Sequence, residues 1–424
     1  MKYLRHKRIM YTYYIKDMIF VATCRMTLIR IIFCASVFLV AIIISLIPAI
    51  VNINHQQLER SVRYPTDIKY ILFWSPPKDK KRMYFLKEGT EFNSGQSSFI
   101  QQKCPFINCY VTYNRSFLTD LNNFDAVVFN VKDLSKIRIE DLTVARSPHQ
   151  KYIFRSQESS ENYPVCNSMY DNFFNLTWTY KLNSDIPQPF INIYDASNKL
   201  IGPKKNIHWI TKMNHTDKFK NKITNKNKAV SWIVTKCNSK SKHQDFVREF
   251  RSELEGYNHT IDTFGPCTEN KCPDGKIHTC HKLIEKHYFF QLILENSFAE
   301  DYVTEKIVKS LMHFTIPIVL GGADYTRFLP PGSYINVQKF GLKKLGALID
   351  YLIKNPQMYE YFFDWKNHYF YSARPTFQVC DLCTKLNLNN SIVVRRYKNF
   401  RKWWNPDFKD TCRRMQLQSI FNTQ

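Results

Sequence analysis

The sequence predicts an α/β protein with two Rossmann-like domains facing a cleft, preceded by one transmembrane helix. Three observations carry this. Short apolar runs at 70–74, 125–131 and 151–156, and again at 229–235, 261–265, 288–296 and 316–322, alternate with polar, helix-capable segments. That is the pattern of buried parallel strands in βα units. A polar, basic, Asn-rich passage at about 198–228 separates the two arrays. Finally, an uncharged apolar run, 31–51, is long enough at about 1.5 Å per residue to cross a hydrocarbon core.

Taken in order, residues 1–30 carry Lys2, Arg5, Lys7, Arg8, Lys16, Arg25 and Arg30 against Asp17 alone. The excess of basic residues on this side predicts a cytosolic tail, a signal-anchor span over 31–53 and a lumenal remainder, a single-pass type II layout. A cleaved signal peptide would have a shorter apolar core of about 7–15 residues. Residues 54–68, polar and aperiodic, read as a stem. The first Rossmann-like domain is expected over 69–200, a linker over 201–228 and the second domain over 229–383. Residues 384–424 form a basic C-terminal extension to which the sequence assigns no role.

Composition narrows the function classes. With 44% hydrophobic and 15% aromatic residues the chain is no solvated coil, and with only 11 Gly and 18 Pro it is not collagen-like. A net charge of +24 invites an anionic partner: nucleic acid, a membrane surface or an anionic small substrate. Beyond the span, 53 basic residues face 35 acidic ones, diffusely spread, and a nucleic-acid partner does not suit a lumenal location.

Ten of the 12 cysteines follow the span. An even number in a lumenal chain reads as disulfides. Cys380-x-x-Cys383, and the cluster of Cys267, Cys272 and Cys280 with His278 and His281, also have zinc-like spacing. Asn-x-Ser/Thr sequons at Asn114, Asn175, Asn214, Asn258 and Asn389 are candidate glycosylation sites, near the number that chance would give in so Asn-rich a chain.

No Walker loop, G-x-G-x-x-G or Asp-x-Asp is present. The densest polar cluster in an apolar setting is FFQLILENSFAEDYVTEKIVKS, 289–310. A strand-like run ends at Glu295-Asn296, and a loop leads to Thr304-Glu305-Lys306 at the start of a helix expected over 303–314. Backbone N–H groups and a Lys at a helix N-terminus make an anion site, and Glu305 offers an acceptor to sugar or ribose hydroxyls. Read without further context, the segment is a weak signal, and an ordinary helix capped by Thr304 is the commoner explanation of such a pattern.

The segment ENS, a spacer, DYVTEKI, then TIPIVLGG and RFLPPGSYINV, spanning 295–337, resembles the donor-binding core of the α-1,3-fucosyltransferases of glycosyltransferase family 10. Further matches are CYVTYNRS (109–116), DAVVFNVKDL (125–134), QESSENYPV (157–165), NLTWTYKLNSDI (175–186) and the terminal C-x-x-C. The resemblance implies a type II Golgi membrane enzyme of GT-B architecture. It would transfer L-fucose from GDP-fucose, with inversion, in α-1,3 linkage to GlcNAc of N-glycans or other glycoconjugates. It would require no metal, a divalent cation being at most stimulatory.

Carried onto this sequence, the resemblance makes Glu158 the catalytic base, with Glu161 as a nearby competitor. It places Tyr302, Glu305 and Lys306 on the nucleotide sugar, Lys306 at the diphosphate, with Asn296 ordering their loop. Lys242 or His243 stands where the family has a diphosphate-binding Arg. It also implies that Cys104 and Cys109 join Cys380 and Cys383, leaving six cysteines unassigned. The departures mark a divergent member. Serine replaces the proline of the base motif, Thr235-Lys236-Cys237 replaces S-N-C, and Asn183 replaces an acid. They leave two outcomes open: an active transferase, or a catalytically weakened relative acting as a lumenal glycan-binding protein.

Overall fold

The structure, a computed structural model, describes residues 67–75, 94–137, 146–234, 243–265, 268, 270–373, 379–388 and 396–421, with isolated positions 36, 39, 42 and 46. The expected span over 31–53 therefore lies outside the described residues, those isolated positions excepted. Among the described residues no helix is long and apolar enough to cross a membrane. Of the two compact units into which the chain divides, Met1–Thr66 and Asp67–Gln424, the second holds both parallel sheets.

A first sheet of six parallel strands contains β1 (Lys69–Phe73), β2 (Cys109–Thr112), β3 (Ala126–Asn130), β4 (Lys151–Ser156), β5 (Leu176–Thr179) and β6 (Ile186–Pro187). Their spatial order is β2-β1-β3-β4-β5-β6. In β3 four consecutive residues, Ala126 to Phe129, are buried, as expected for a parallel strand covered on both faces. After β7 (Asn192–Asp195) and β8 (Leu200–Gly202), the second parallel sheet comprises β9 (Lys228–Ile233), β10 (Ile261–Phe264), β11 (Tyr288–Leu294), β12 (Ile316–Leu320) and β13 (Ile335–Asn336). Its order is β10-β9-β11-β12-β13. Strand β14 (Tyr369–Ser372) pairs antiparallel with β7, giving a small third sheet, β14-β7-β8.

Each apolar run identified in the sequence is a strand. In both parallel sheets the strand order reverses once, between β1 and β3 and between β9 and β11. Open α/β sheets bind ligands outside the carboxyl ends of strands at such reversals. The segment after β11 lies at such a reversal, and the segment after β4 follows the strand next to β3 at the other.

The principal helices of the second half are α1 (His243–Glu255), α2 (Ile277–His287), α3 (Lys306–Met312), α4 (Leu342–Lys354), α5 (Val379–Leu388), α6 (Phe400–Trp404) and α7 (Phe408–Phe421). Helices α1 and α4 bury Val247, Phe250 and Leu254, and Leu345, Ile349 and Leu352, against one face of the second sheet. These i, i+3, i+4 and i+7 positions form the apolar stripe of an amphipathic helix. The last helices return to the first sheet. Val379, Leu382 and Leu386 of α5 pack with Ile71, Val128 and Ile153. Phe400 and Trp404 of α6 pack with Leu72, Phe129 and Phe154, which alternate with those residues along the strands and so face the other way. The chain end thus closes both faces of the sheet its beginning builds.

Disulfides fix this return. Cys104–Cys380 and Cys109–Cys383 are present as implied, with Cα separations of 5.0 and 5.8 Å. Two further bridges, Cys166–Cys412 and Cys272–Cys280, join cysteines that the sequence left unpaired. Four of the five cysteines with zinc-like spacing, Cys272, Cys280, Cys380 and Cys383, are thereby covalently committed; Cys237 and Cys267 lie outside the described residues. The sequon at Asn175 needs correction. Its side chain is buried and accepts the Tyr152 N–H at 2.7 Å, so it is not presented for a glycan in the folded chain. Asn114, Asn214 and Asn258 are exposed, and Asn389 is outside the described residues.

Candidate active site

Glu295 organises the segment after β11. It is fully buried (0% exposed), and its Oε1 accepts the Thr304 N–H at 2.7 Å and the Thr304 hydroxyl at 2.9 Å. Burial raises its pKa, while the Lys306 charge and the bonds from Thr304 oppose the rise. Thr304 is consequently not the helix cap. Glu305 takes that position without a side-chain capping bond, and α3 begins at Lys306, later than expected.

Lys306 donates to the Leu294 carbonyl at 3.1 Å and lies 3.6 Å from Glu295 Oε2, with its side chain 34% exposed. Carboxylate and carbonyl hold the ammonium at the carboxyl end of β11 while leaving part of it reachable. Two glycines after β12 permit the close packing. A Cβ at Gly322 would lie 1.6 Å from the Phe298 carbonyl oxygen, and one at Gly321 would lie 2.6 Å from the Tyr325 hydroxyl. The Tyr325 hydroxyl and Asn296 Oδ1 are buried and meet no hydrogen-bonding partner among the described residues.

The segment after β4 faces this loop. Glu158 is held by a bond from its N–H to Ser156 Oγ at 3.0 Å, and its carboxylate pairs with Lys132 Nζ at 2.5 Å, its side chain 36% exposed. Glu161 is differently placed. Its Oε2 accepts the Phe298 N–H at 2.7 Å and the Ser297 hydroxyl at 3.1 Å, and Asn162 Nδ2 donates to the Asn296 carbonyl at 3.4 Å. The competitor for the base role is thus a latch between the two loops.

Tyr302, expected on the nucleotide sugar, is buried with its ring against Tyr180 and Phe190, centroids 5.1 and 5.5 Å away. Burial raises its pKa, and the charges of Glu295 and then Glu158 raise it further. Lys181, also buried, reaches Glu300 at 3.0 Å and the Trp403 carbonyl at 2.8 Å. Arg327 pairs with Asp301 at 3.0 Å.

Lys242 lies outside the described residues. His243 is buried at the start of α1, and its pKa falls to about 4, through burial first and then the Lys306 charge. Without a bound anion the imidazole is therefore uncharged near neutral pH. Among the described residues no group of three or more His, Cys, Asp or Glu could hold a metal ion. A separate cavity of about 450 Å³, lined by Trp232, Arg248, Arg251 and Asp262, contains neither Glu158 nor Lys306.

The structure thus brings Glu158, Asn296, Tyr302, Glu305 and Lys306 to facing segments. Sequence reasoning missed Lys132, Glu295 as a buried organiser, and the latch of Glu161. Lys132 lies inside the DAVVFNVKDL match, but nothing local marks it. A Glu ending an apolar strand is the one signal that could have identified Glu295.

Residues 66–191 match the family profile described as fucosyltransferase, N-terminal. Residues 223–403 match that of glycosyltransferase family 10 (fucosyltransferase), C-terminal. The chain is 29% identical over 309 residues to alpha-(1,3)-fucosyltransferase C of Drosophila melanogaster, covering 71% of this chain and 70% of that one. It is 30% identical over 280 residues to an alpha-(1,3)-fucosyltransferase of Caenorhabditis elegans, covering 66% of this chain and 58% of that one. A solved alpha1,3-fucosyltransferase with GDP-fucose superposes with a TM-score of 0.44 at 17% identity, covering 80% of this chain and 97% of the other.

Proposed function

Since the chain belongs to glycosyltransferase family 10, the fucosyltransferases, we propose that it transfers L-fucose from GDP-fucose, with inversion, to a GlcNAc hydroxyl of a glycan in α-1,3 linkage. The observation that carries the reading is the facing pair of loops: an accessible carboxylate, Glu158, on one and a partly exposed cation, Lys306, on the other, joined by Glu161.

In this reading Glu158 takes the proton of the acceptor hydroxyl as that oxygen attacks the anomeric carbon. The bond from that carbon to the diphosphate breaks on the opposite side, and GDP leaves with the electron pair. Lys306 meets the charge that develops on the leaving diphosphate, in place of a resident metal. Lys132 orients Glu158 through their 2.5 Å contact.

The apolar run over 31–53 behind a basic tail, and the long-range disulfides, support a Golgi enzyme anchored once with its catalytic part lumenal. The test is a glycan-array acceptor screen with GDP-fucose. Fucose appearing on GlcNAc-containing glycans supports the reading and names the acceptor. Specific GDP-fucose or glycan binding without transfer supports a glycan-binding protein instead.

A further inference from the structure

We infer that the C-terminal segment Phe400–Cys412 is a strap that positions the loop carrying Glu158. This rests on Glu158 as the base. The loop has serine where the family motif has proline, so it lacks that restraint on its backbone. Its order comes from elsewhere.

The Ser160 N–H donates to the Tyr180 hydroxyl at 3.0 Å, a bond that a proline there could not make. The Ser160 carbonyl accepts Asn405 Nδ2 at 3.2 Å, and the Tyr163 carbonyl accepts Trp404 Nε1 at 2.9 Å. Arg401 donates to the Cys166 carbonyl at 3.1 Å, and Cys166 is joined to Cys412. Four restraints on residues 160–166 thus come from the strap.

The strap is itself fixed. The rings of Phe400 and Trp404 are fully buried, each 4.8 Å from that of Phe154 on the strand leading into the loop. Asn405 is buried, and its Oδ1 accepts the Asp407 N–H at 3.0 Å, which aims its amide at Ser160. Lys181 adds a link from the Trp403 carbonyl to Glu300 in the opposite loop. Asn405 and Cys412 lie beyond residue 403, where the match to the family profile ends.

Asn405 and Trp404 are positioning residues: neither touches Glu158, and both hold the peptide groups that direct it. A base displaced by about 1 Å can lose on the order of a hundredfold in rate without loss of donor affinity. The experiment compares kcat and the KM for GDP-fucose in Asn405→Ala and in Trp404→Phe, which keeps an aromatic ring, though a smaller one, and removes the indole N–H. Glu158→Gln is measured in parallel, and circular dichroism confirms folding. The expected result is a fall in kcat of about tenfold or more in the two strap variants, with the KM for GDP-fucose within about twofold of the parent. Parental kcat in the folded variants overturns the strap, as does a KM that rises as far as kcat falls. If Glu158→Gln alone retains full turnover, the base assignment fails independently. If Glu158→Gln is inactive while the strap variants turn over normally, the strap alone fails.

Discussion

Glu161 on the loop after β4 accepts the backbone N–H of Phe298 on the loop after β11 at 2.7 Å. With Asn162 Nδ2 on the Asn296 carbonyl, this carboxylate ties the segment bearing Glu158 to the segment leading to Lys306. Because the bond is charge-assisted and runs between lobes, it governs the site's geometry more than the stability of either lobe. Glu161→Ala is expected to lower kcat/KM about tenfold or more, and Glu161→Gln, which keeps an acceptor oxygen, to lower it less. Equal effects of the two variants in steady-state kinetics would contradict the latch.

Thr304 supplies Glu295 with its two closest hydrogen bonds. Replacing the hydroxyl with a methyl in Thr304→Val leaves a buried carboxylate short of a donor. The expected cost is about 1–3 kcal/mol of stability, together with a raised KM for GDP-fucose, because Lys306 shares the same carboxylate. Chemical denaturation and donor kinetics on the same variant test both parts.

At Gly322 a Cβ would overlap the Phe298 carbonyl oxygen at 1.6 Å, so the loop must move to admit it. Gly322→Ala should destabilise the chain by about 2 kcal/mol or more and reduce transfer through displacement of the Ser297–Phe298 segment. A melting temperature and turnover both equal to the parent's would show that the two loops are not in close contact.

His243 gives the pH prediction. Its pKa falls to about 4 in the folded chain from an ordinary value of 6.5. Between those values the unfolded chain binds a proton that the folded chain excludes, so stability drops as the pH falls from 6.5 towards 4. His281 shifts the same way, to about 4, through burial and then the charge of His313. Glu295 and Asp301, both raised by burial, oppose this trend. The variant His243→Gln isolates one contribution: its melting temperature should decline less between pH 6.5 and 4 than the parent's. An identical decline would place His243 in water.

Much of the architecture was legible because parallel strands buried on both faces must be apolar along their length, as in AVVFN and IPIVL. The segment 295–307 stood out for a related reason, since polar residues ending such a strand have few other uses. Edge and short strands such as β6 and β13, two residues each, leave too little pattern to read. Asn175 shows the limit of a motif. The same Asn-x-Thr that satisfies a sequon also satisfies a buried backbone N–H, and only the fold decides between them. The roles of Glu158 and Glu161, three residues apart in one polar loop, separated only when the opposite lobe supplied Phe298 to one and β3's following turn supplied Lys132 to the other. The return of α6 to the first sheet, which joins residues more than two hundred apart, has no local signature at all.

In the proposed arrangement Glu158 and Lys306 act from opposite sides of one cleft, and transfer of labelled fucose from GDP-fucose to a GlcNAc-containing acceptor by the parent, Glu158→Gln and Lys306→Ala measures this directly. That arrangement predicts transfer by the parent, and a loss of about a hundredfold or more in kcat for Glu158→Gln with GDP affinity retained. For Lys306→Ala it predicts loss of both transfer and GDP affinity with the fold intact. Parental turnover in either variant, or specific binding of GDP-fucose by the parent with no transfer to any acceptor, would contradict it.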